Sequence, residues 1–345
     1  MPDPNQPMSL QEFEDIWAPV PSAPTPVAPS QSLSSGNDIE KFLMATEAAV
    51  KTKKKAASPE EPRAPMPAVK GFLFGCDPEL FVRDRNGGLI SAHDLLPGTK
   101  AEPFPVEDGA IQVDGMAAEF NITPSASFED FSGRVKNVMR QLQERLPEGC
   151  TLDCSPAVVF PEDVFDAAPD SAKELGCTPD FNAWTGGVNA PPHCDQPRLR
   201  TASGHLHIGW TDNVEIADIQ HVMNCRDLVK QFDWYLGGWS IKHDPDPTRR
   251  VLYGQAGAHR VKPYGVEYRV LSNFWLKSDD MMREVWNRMQ QAINDMSRLY
   301  LPDRVGMAYN KALVSSINTS EMNKGLPAAL PFPLESIYGS TRVYV

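Results

Sequence analysis

Apolar and polar residues alternate with a period of two through Gly265-Val266-Glu267-Tyr268-Arg269-Val270-Leu271, which predicts a β-strand because successive strand side chains point to opposite faces. Glu267, Arg269 and Leu271 then share one face, and Val266, Tyr268 and Val270 the other. Strand material also runs over residues 71–82, interrupted by Asp77-Pro78-Glu79, where proline removes a ladder donor and favours an edge or a bulge. Asn86-Gly87-Gly88 follows as a hairpin turn. A second hairpin is expected from strands at 110–113 and 117–122 about a turn at Asp114-Gly115, with Asp114 as a turn residue. Further strands are expected over 151–160 and 201–210.

The 3.6-residue period predicts three main helices. The first runs over 127–145, buries Phe128, Phe131, Val135, Val138, Met139 and Leu142, and is stopped by Pro147 and Gly149. The others span 212–236 and 278–300, the latter capped by Ser278 with Asp279 and Asp280 in its first turn. The implied fold class is α+β, several hairpins alternating with three main helices. The connection 161–200 is too long for an ordinary loop and is a candidate lid.

Residues 1–66 differ from the rest: Pro, Ser and Ala dominate 19–35, a mixture that buries too little apolar surface to offset the entropy of ordering. A disordered tail is expected there, with a short helix over 37–50 and a solvated lysine run at 51–55. Residues 67–345 form a single domain on this reading, its end from Pro327 wrapping the surface.

Charge narrows the function classes. A net charge of -12 and a pI near 5.1 argue against non-specific nucleic-acid binding, so any anion site is local. No apolar run approaches the roughly 20 residues that span a bilayer, and the N-terminus lacks a basic start followed by an apolar segment, so a cytoplasmic protein without a membrane partner is expected. The six cysteines lack a CxxC pair, which points to free thiols rather than a zinc or redox motif.

Four motifs carry candidate chemistry. Asp77 and Glu79 flank a proline between apolar runs, as a metal-binding or acid–base pair would. Glu119 has small neighbours that leave room for something besides protein. His205 and His207 point the same way on one strand, either as metal ligands or as a hydrogen-bonded core feature. Glu267 and Arg269 follow a glycine-broken loop bearing Arg249, Arg250, Arg260 and Lys262. Cations and a carboxylate converging there suit a polyanion handled with a metal, or else a structural ion pair beside a solvated basic loop. No GxxxxGK[ST] loop is present, which excludes a P-loop nucleotide site.

In their order, DPE, QVDGMAAEFN, SGHLHIG and GVEYR resemble the glutamine synthetase-like carboxylate–amine ligases, and most closely the phage-associated COOH-NH2 ligase type 2 family. The resemblance covers residues 71–273 and implies a glutamine synthetase-like catalytic domain, a mainly antiparallel sheet flanked by helices with the site on its open face. It implies that Glu79, Glu119, His205 and Glu267, with Asp77, hold two Mg²⁺ ions, Mn²⁺ being an alternative. Arg269, Arg260 and Arg250 would clamp the γ-phosphate of ATP, with His207 also at the nucleotide, and Arg269, Arg260 and Glu267 would be catalytic. The implied reaction phosphorylates a small-molecule or peptide carboxylate and passes the acyl group to an amine, in the host cytoplasm if the gene is a phage's.

The sequence departs from glutamine synthetases in carrying Asp77 where they have a glutamate, and the residue completing the second metal site stays open. No N-terminal companion domain is evident, so the ring-shaped oligomers of glutamine synthetase are unsupported and the oligomeric state is left open. A metal-dependent hydrolase using the same acids, or a non-catalytic virion-associated or binding protein retaining the fold, are the rival readings.

Overall fold

Asp77 and Pro78 divide the first expected strand in two, and the halves join different sheets. A computed structural model of the 345-residue chain describes residues 71–174, 180–297 and 299–321. The tail expected over 1–66, its helix over 37–50, Cys177 and the segment from Pro327 lie outside the described residues.

The strands in chain order are β1 (Leu73–Cys76), β2 (Glu79–Arg83), β3 (Leu89–Ile90), β4 (Phe104–Val106), β5 (Gly109–Asp114), β6 (Ala117–Ile122) and β7 (Thr151–Asp153). They continue with β8 (Ala157–Val159), β9 (Phe181–Asn182), β10 (Leu199–Thr201), β11 (Leu206–Gly209), β12 (Ala258–Lys262) and β13 (Gly265–Tyr268). One sheet has the order β1-β11-β13-β12-β9; the other runs β3-β2-β6-β5-β4, with β7 also on β2, and β8 pairs β10 separately. Every pairing is antiparallel. The corner between the two sheets is pinned by backbone bonds: Glu79 N–H donates to Ser203 O at 2.9 Å, and Phe120 N–H to Pro78 O at 3.2 Å.

The longer helices are α1 (Phe128–Arg145), α2 (Ile219–Phe232), α3 (Asp279–Asp295) and α4 (Met307–Thr319). The α+β class expected from the patterning is the one observed. Helix α1 begins where expected: the Ser127 hydroxyl accepts from Asp130 N–H, filling one of the donors a first turn leaves open.

One hydrophobic cluster runs from Phe74 to Ile317, with Trp286 packed against Phe74, Phe128 and Phe131. Helices cover one face of each sheet. On β13 the buried Tyr268 ring packs edge-on to Phe232 of α2 at 5.4 Å, while its neighbours Glu267 and Arg269 point the other way.

Four expectations are corrected. The strand over 151–160 is two strands, because Asp153 folds back on Ser155 (Oδ1 accepts from its N–H at 2.9 Å) and Pro156 follows. The helix placed at 212 starts at Ile219, where Asp218 caps it by accepting from His221 N–H at 2.8 Å, and it passes into a π-helical turn at Asp233–Gly237. Helix α3 ends at Asp295, not 300, and α4 was not anticipated. The basic loop is no loop: Arg260 and Lys262 lie on β12, and Arg249 and Arg250 in a short helix, Thr248–Leu252. The connection 161–200 is partly structured, with helical turns at Glu162–Ala167 and Asp170–Lys173 and the strands β9 and β10.

Among the described residues no helix is long and apolar enough to cross a membrane. Cys76, Cys150, Cys154, Cys194 and Cys225 are free.

Candidate functional site

The face of the sheets turned away from the helices carries two groups of three metal-type donors. In each, one ligand atom per residue lies within 4.8 Å of the others: Asp77, His205 and Glu267 form the first, Glu79, Asp114 and Glu119 the second. Both border a single cavity of about 300 Å³, whose wall includes Asp77, Glu79, Asp114, Glu119 and His205.

Register explains the convergence. Around the first group, His207 sits opposite Glu267 across β11 and β13, and Arg260 opposite Glu267 across β12 and β13. The chain leaves β1 at Cys76, so Asp77 arrives beside the two histidines: His207 Nε2 is 3.0 Å and His205 Nδ1 3.4 Å from Asp77 Oδ1. In the second group Glu79 pairs with Glu119 across β2 and β6, and Gln112 with Glu119 across β5 and β6. Two residues along β5 from Gln112, Asp114 falls on that same face.

Electrostatically the groups are opposites. Burial opposes the charge on Glu267, yet Lys262, Arg269 and Arg260 prevail and hold its carboxyl well below the usual range. Lys262 Nζ is 2.8 Å from Glu267 Oε2, Arg260 Nη1 is 3.9 Å from Oε1, and Arg269 Nη1 donates to Oε1. Burial likewise opposes Asp77, and His207 and His205, both within reach of its Oδ1, outweigh burial and hold its carboxyl low. Burial and then Arg269 pull His205 down to about 4, against Asp77 and Glu267, which keeps its imidazole neutral and able to ligate.

In the second group the carboxyls of Glu79 and Glu119 are pushed up. Burial raises Glu119 most, followed by the charges of Asp77, Asp114 and Glu79. Glu79 is raised by burial and then by Asp114, against a hydrogen bond from Ser203 N–H at 2.9 Å. Its matching cation is Lys100, with Nζ 2.5 Å from Asp114 Oδ2.

Both donor sets fit a hard divalent cation, being carboxylate oxygens with at most one imidazole. The second fits most plainly, since three crowded carboxylates, two of them raised by burial and mutual repulsion, gain from a positive ion between them.

Three expected residues do not line the cavity: Glu267, 1% exposed beneath its cations, Arg250 and His207. Arg250 is 1% exposed and turned inward, its Nη2 donating to Ser240 Oγ at 3.0 Å and lying 3.8 Å from Asp244 Oδ2. His207 stands behind Asp77, with Nδ1 2.5 Å from Tyr264 OH, so it is placed to orient the carboxylate.

The structure adds groups to which the sequence reading gave no role at the site. Arg249, also 1% exposed, lines the cavity instead of Arg250. Its Nη1 donates to Val270 O at 2.8 Å and its Nη2 to Arg269 O at 3.3 Å, while its buried Nε has no hydrogen-bond partner among the described residues. Burial pulls Arg249 down to about 10, still charged at neutral pH. Gly254 is required beside it: φ is +73°, and a Cβ would fall 1.9 Å from Arg249 Nη1. Asp180 aligns two guanidiniums, its Oδ1 being 2.7 Å from Arg269 Nε and 3.6 Å from Arg260 Nε.

Parity along β5 is a signal that would have found Asp114, since Gln112 and Asp114 share the face of Glu119. Asp180 lies in a stretch without periodicity and offered none.

No family model matches the sequence, and no curated protein matches it. Among solved structures, the chain is similar to a bifunctional glutathione synthetase from Pasteurella multocida at 11% identity and a TM-score of 0.44, over 73% of this chain and 41% of that one. The chain thus spans less than half the length of that enzyme, and a likeness at this level assigns neither fold nor activity.

Proposed function

We propose that the protein is an ATP-dependent carboxylate–amine ligase that forms an amide bond through an acyl phosphate, of the phage-associated amidoligase type its motifs resemble. The observation that supports this reading is the meeting of two three-donor groups with Arg249, Arg260 and Arg269 around one cavity. A lone metal-binding hydrolase has no need of so many guanidiniums, whereas a transferring phosphoryl group calls for planar donors and divalent ions together.

Asp77, His205 and Glu267 would hold one divalent ion and Glu79, Asp114 and Glu119 the other, Mg²⁺ or Mn²⁺, and when bound these ions offset phosphate charge. Arg269 and Arg260 bind phosphate oxygens. Asp180 fixes the plane of Arg269, so the fork meets the phosphoryl group without reorganisation. Arg249 braces the backbone of Arg269 and Val270 from the wall of the cavity and adds a third positive charge there.

A carboxylate is a poor electrophile. Its oxygen attacks the γ-phosphorus, ADP leaves, and the acyl phosphate is then attacked by an amine; the C–O bond to phosphate breaks and the amine proton is lost. Water has to be kept from the acyl phosphate. Ser171 and Ala172, in the wall of the cavity, belong to the segment that shields it.

The experiment is a screen of amino acids, peptides and polyamines for ADP release with Mg²⁺ and ATP. Release that requires both a carboxylate and an amine supports the ligase; release of phosphate from a substrate without ATP would replace it with the hydrolase.

A further inference from the structure

The lysine on the second carboxylate group is presented by a built turn. Thr99 N–H donates to Glu102 O at 3.0 Å, and Glu102 N–H returns to Thr99 O at 3.2 Å and Thr99 Oγ1 at 3.1 Å, closing the turn that carries Lys100. Gly98 locks that turn to β5. Its carbonyl accepts from Val113 N–H at 3.3 Å, its φ is +87°, and a Cβ would fall 2.4 Å from Ile111 O and 2.7 Å from Phe104 N. The locked strand ends one residue later in Asp114, whose Oδ2 takes the Lys100 ammonium at 2.5 Å.

Lys100 also bears on the rest of the group. It borders the same cavity, and its charge lowers the carboxyls of both Glu79 and Glu119, which burial and their neighbours raise. Its side chain is 52% exposed, so the ammonium can leave Asp114 for water or for the cavity at little cost. Lys262, which faces the first group, shares Glu267 with two arginines.

We propose that Lys100 is a built-in counter-ion of the Glu79–Asp114–Glu119 group: in the ion-free protein its ammonium stands in for the divalent cation, and the entering ion displaces it from Asp114. The inference rests on the reading of this group as a cation site. Three carboxylates this close repel one another and resist ionising together. One removable monovalent charge keeps the site assembled, while still yielding to an ion with twice the charge.

The test is Mn²⁺ binding to the full chain without nucleotide, by titration calorimetry and by the loss of the free-ion electron paramagnetic resonance signal, at low ionic strength. Lys100→Met removes the competitor, and tightening by about 5-fold is expected, the size an exposed lysine–carboxylate pair supports. Lys100→Arg keeps the charge on the same turn and should stay within about 2-fold of the parent. Unchanged or weaker Mn²⁺ binding in Lys100→Met would overturn the counter-ion role. Glu119→Gln, run alongside, separates the two readings. If it abolishes one Mn²⁺ site while Lys100→Met changes nothing, the lysine's role alone falls; if it leaves all binding intact, the cation site falls and the proposal with it.

Discussion

The two carboxylate groups stand on one wall yet solve the problem of buried charge in opposite ways. Around Asp77, His205 and Glu267 the protein supplies its own cations, with Glu267 meeting Arg260, Lys262 and Arg269 at once. Around Glu79, Asp114 and Glu119 it supplies one half-exposed lysine, with Arg249 acting on Glu79 as a smaller influence, and leaves two carboxyls pushed up by burial and crowding. The first group is part of what holds the sheet together; the second is held together by the sheet at a cost. Proteins keep such strained, under-compensated arrangements where a ligand completes them.

That contrast is broken most severely at Glu267. Glu267→Ala leaves three cations around a buried void, and the loss of one partner from a buried ionic cluster costs about 3–5 kcal/mol. Chemical denaturation should show this, together with loss of metal–nucleotide binding. A variant as stable as the parent would mean that the cations of the first group need no carboxylate.

A pH titration separates the site from the far face of the same strand. Asp233 accepts from Tyr268 OH at 2.8 Å and Trp184 Nε1–H at 2.6 Å, and burial outweighs those bonds and raises its carboxyl to about 7. Folded protein therefore keeps a proton that the unfolded chain releases near pH 4, so stability falls as pH rises from about 4 to about 7 and is flat above, by up to about 4 kcal/mol. In Asp233→Asn this slope should flatten, although a carboxamide facing two donors lowers stability at every pH. A slope unchanged in the variant would assign it to other groups.

Arg269→Lys sharpens the comparison inside the first group, because it keeps the charge beside Glu267 and removes the planar fork. Stability and nucleotide affinity should be nearly retained, while transfer slows by about 10²-fold if the fork acts on transition-state charge. Single-turnover ADP release resolves the two effects.

A stability change of the opposite sign to that at Glu267 is expected at Glu119. Glu119→Gln removes one of three crowded carboxylates, and its oxygen can still accept from Gln112 Nε2, 2.7 Å away in the parent. The ion-free protein should gain about 1 kcal/mol of stability while turnover is lost, the trade expected at a functional site. Destabilisation would place Glu119 with Glu267, as a residue the fold depends on.

What the sequence disclosed follows the same division. Period-two reading put His205 with His207 and Glu267 with Arg269, because strand parity is local, and antiparallel pairing of β11, β12 and β13 then brought them together. Glu79 and Glu119 were marked by their apolar surroundings, but Asp114 read as a turn residue because Gly115 follows it. Its role depends on where β5 ends, and boundaries are the least local part of a strand pattern. Arg249 and Arg250 are adjacent in sequence and identical in type. Only the short helix at Thr248–Leu252 decides that one reaches the cavity and the other Asp244. Asp180 and Lys100 sit in connections, where no periodicity exists to read.

The central claim is that a carboxylate is activated as its phosphate. With a carboxylate and amine pair from the ADP-release screen, the carboxylate oxygens are labelled with oxygen-18, and the released phosphate is analysed by mass spectrometry. The ligase mechanism predicts one labelled oxygen per phosphate, because that atom stays on phosphorus when the amine displaces it. Label in AMP, or retained entirely in the product amide and unreacted acid, would contradict it.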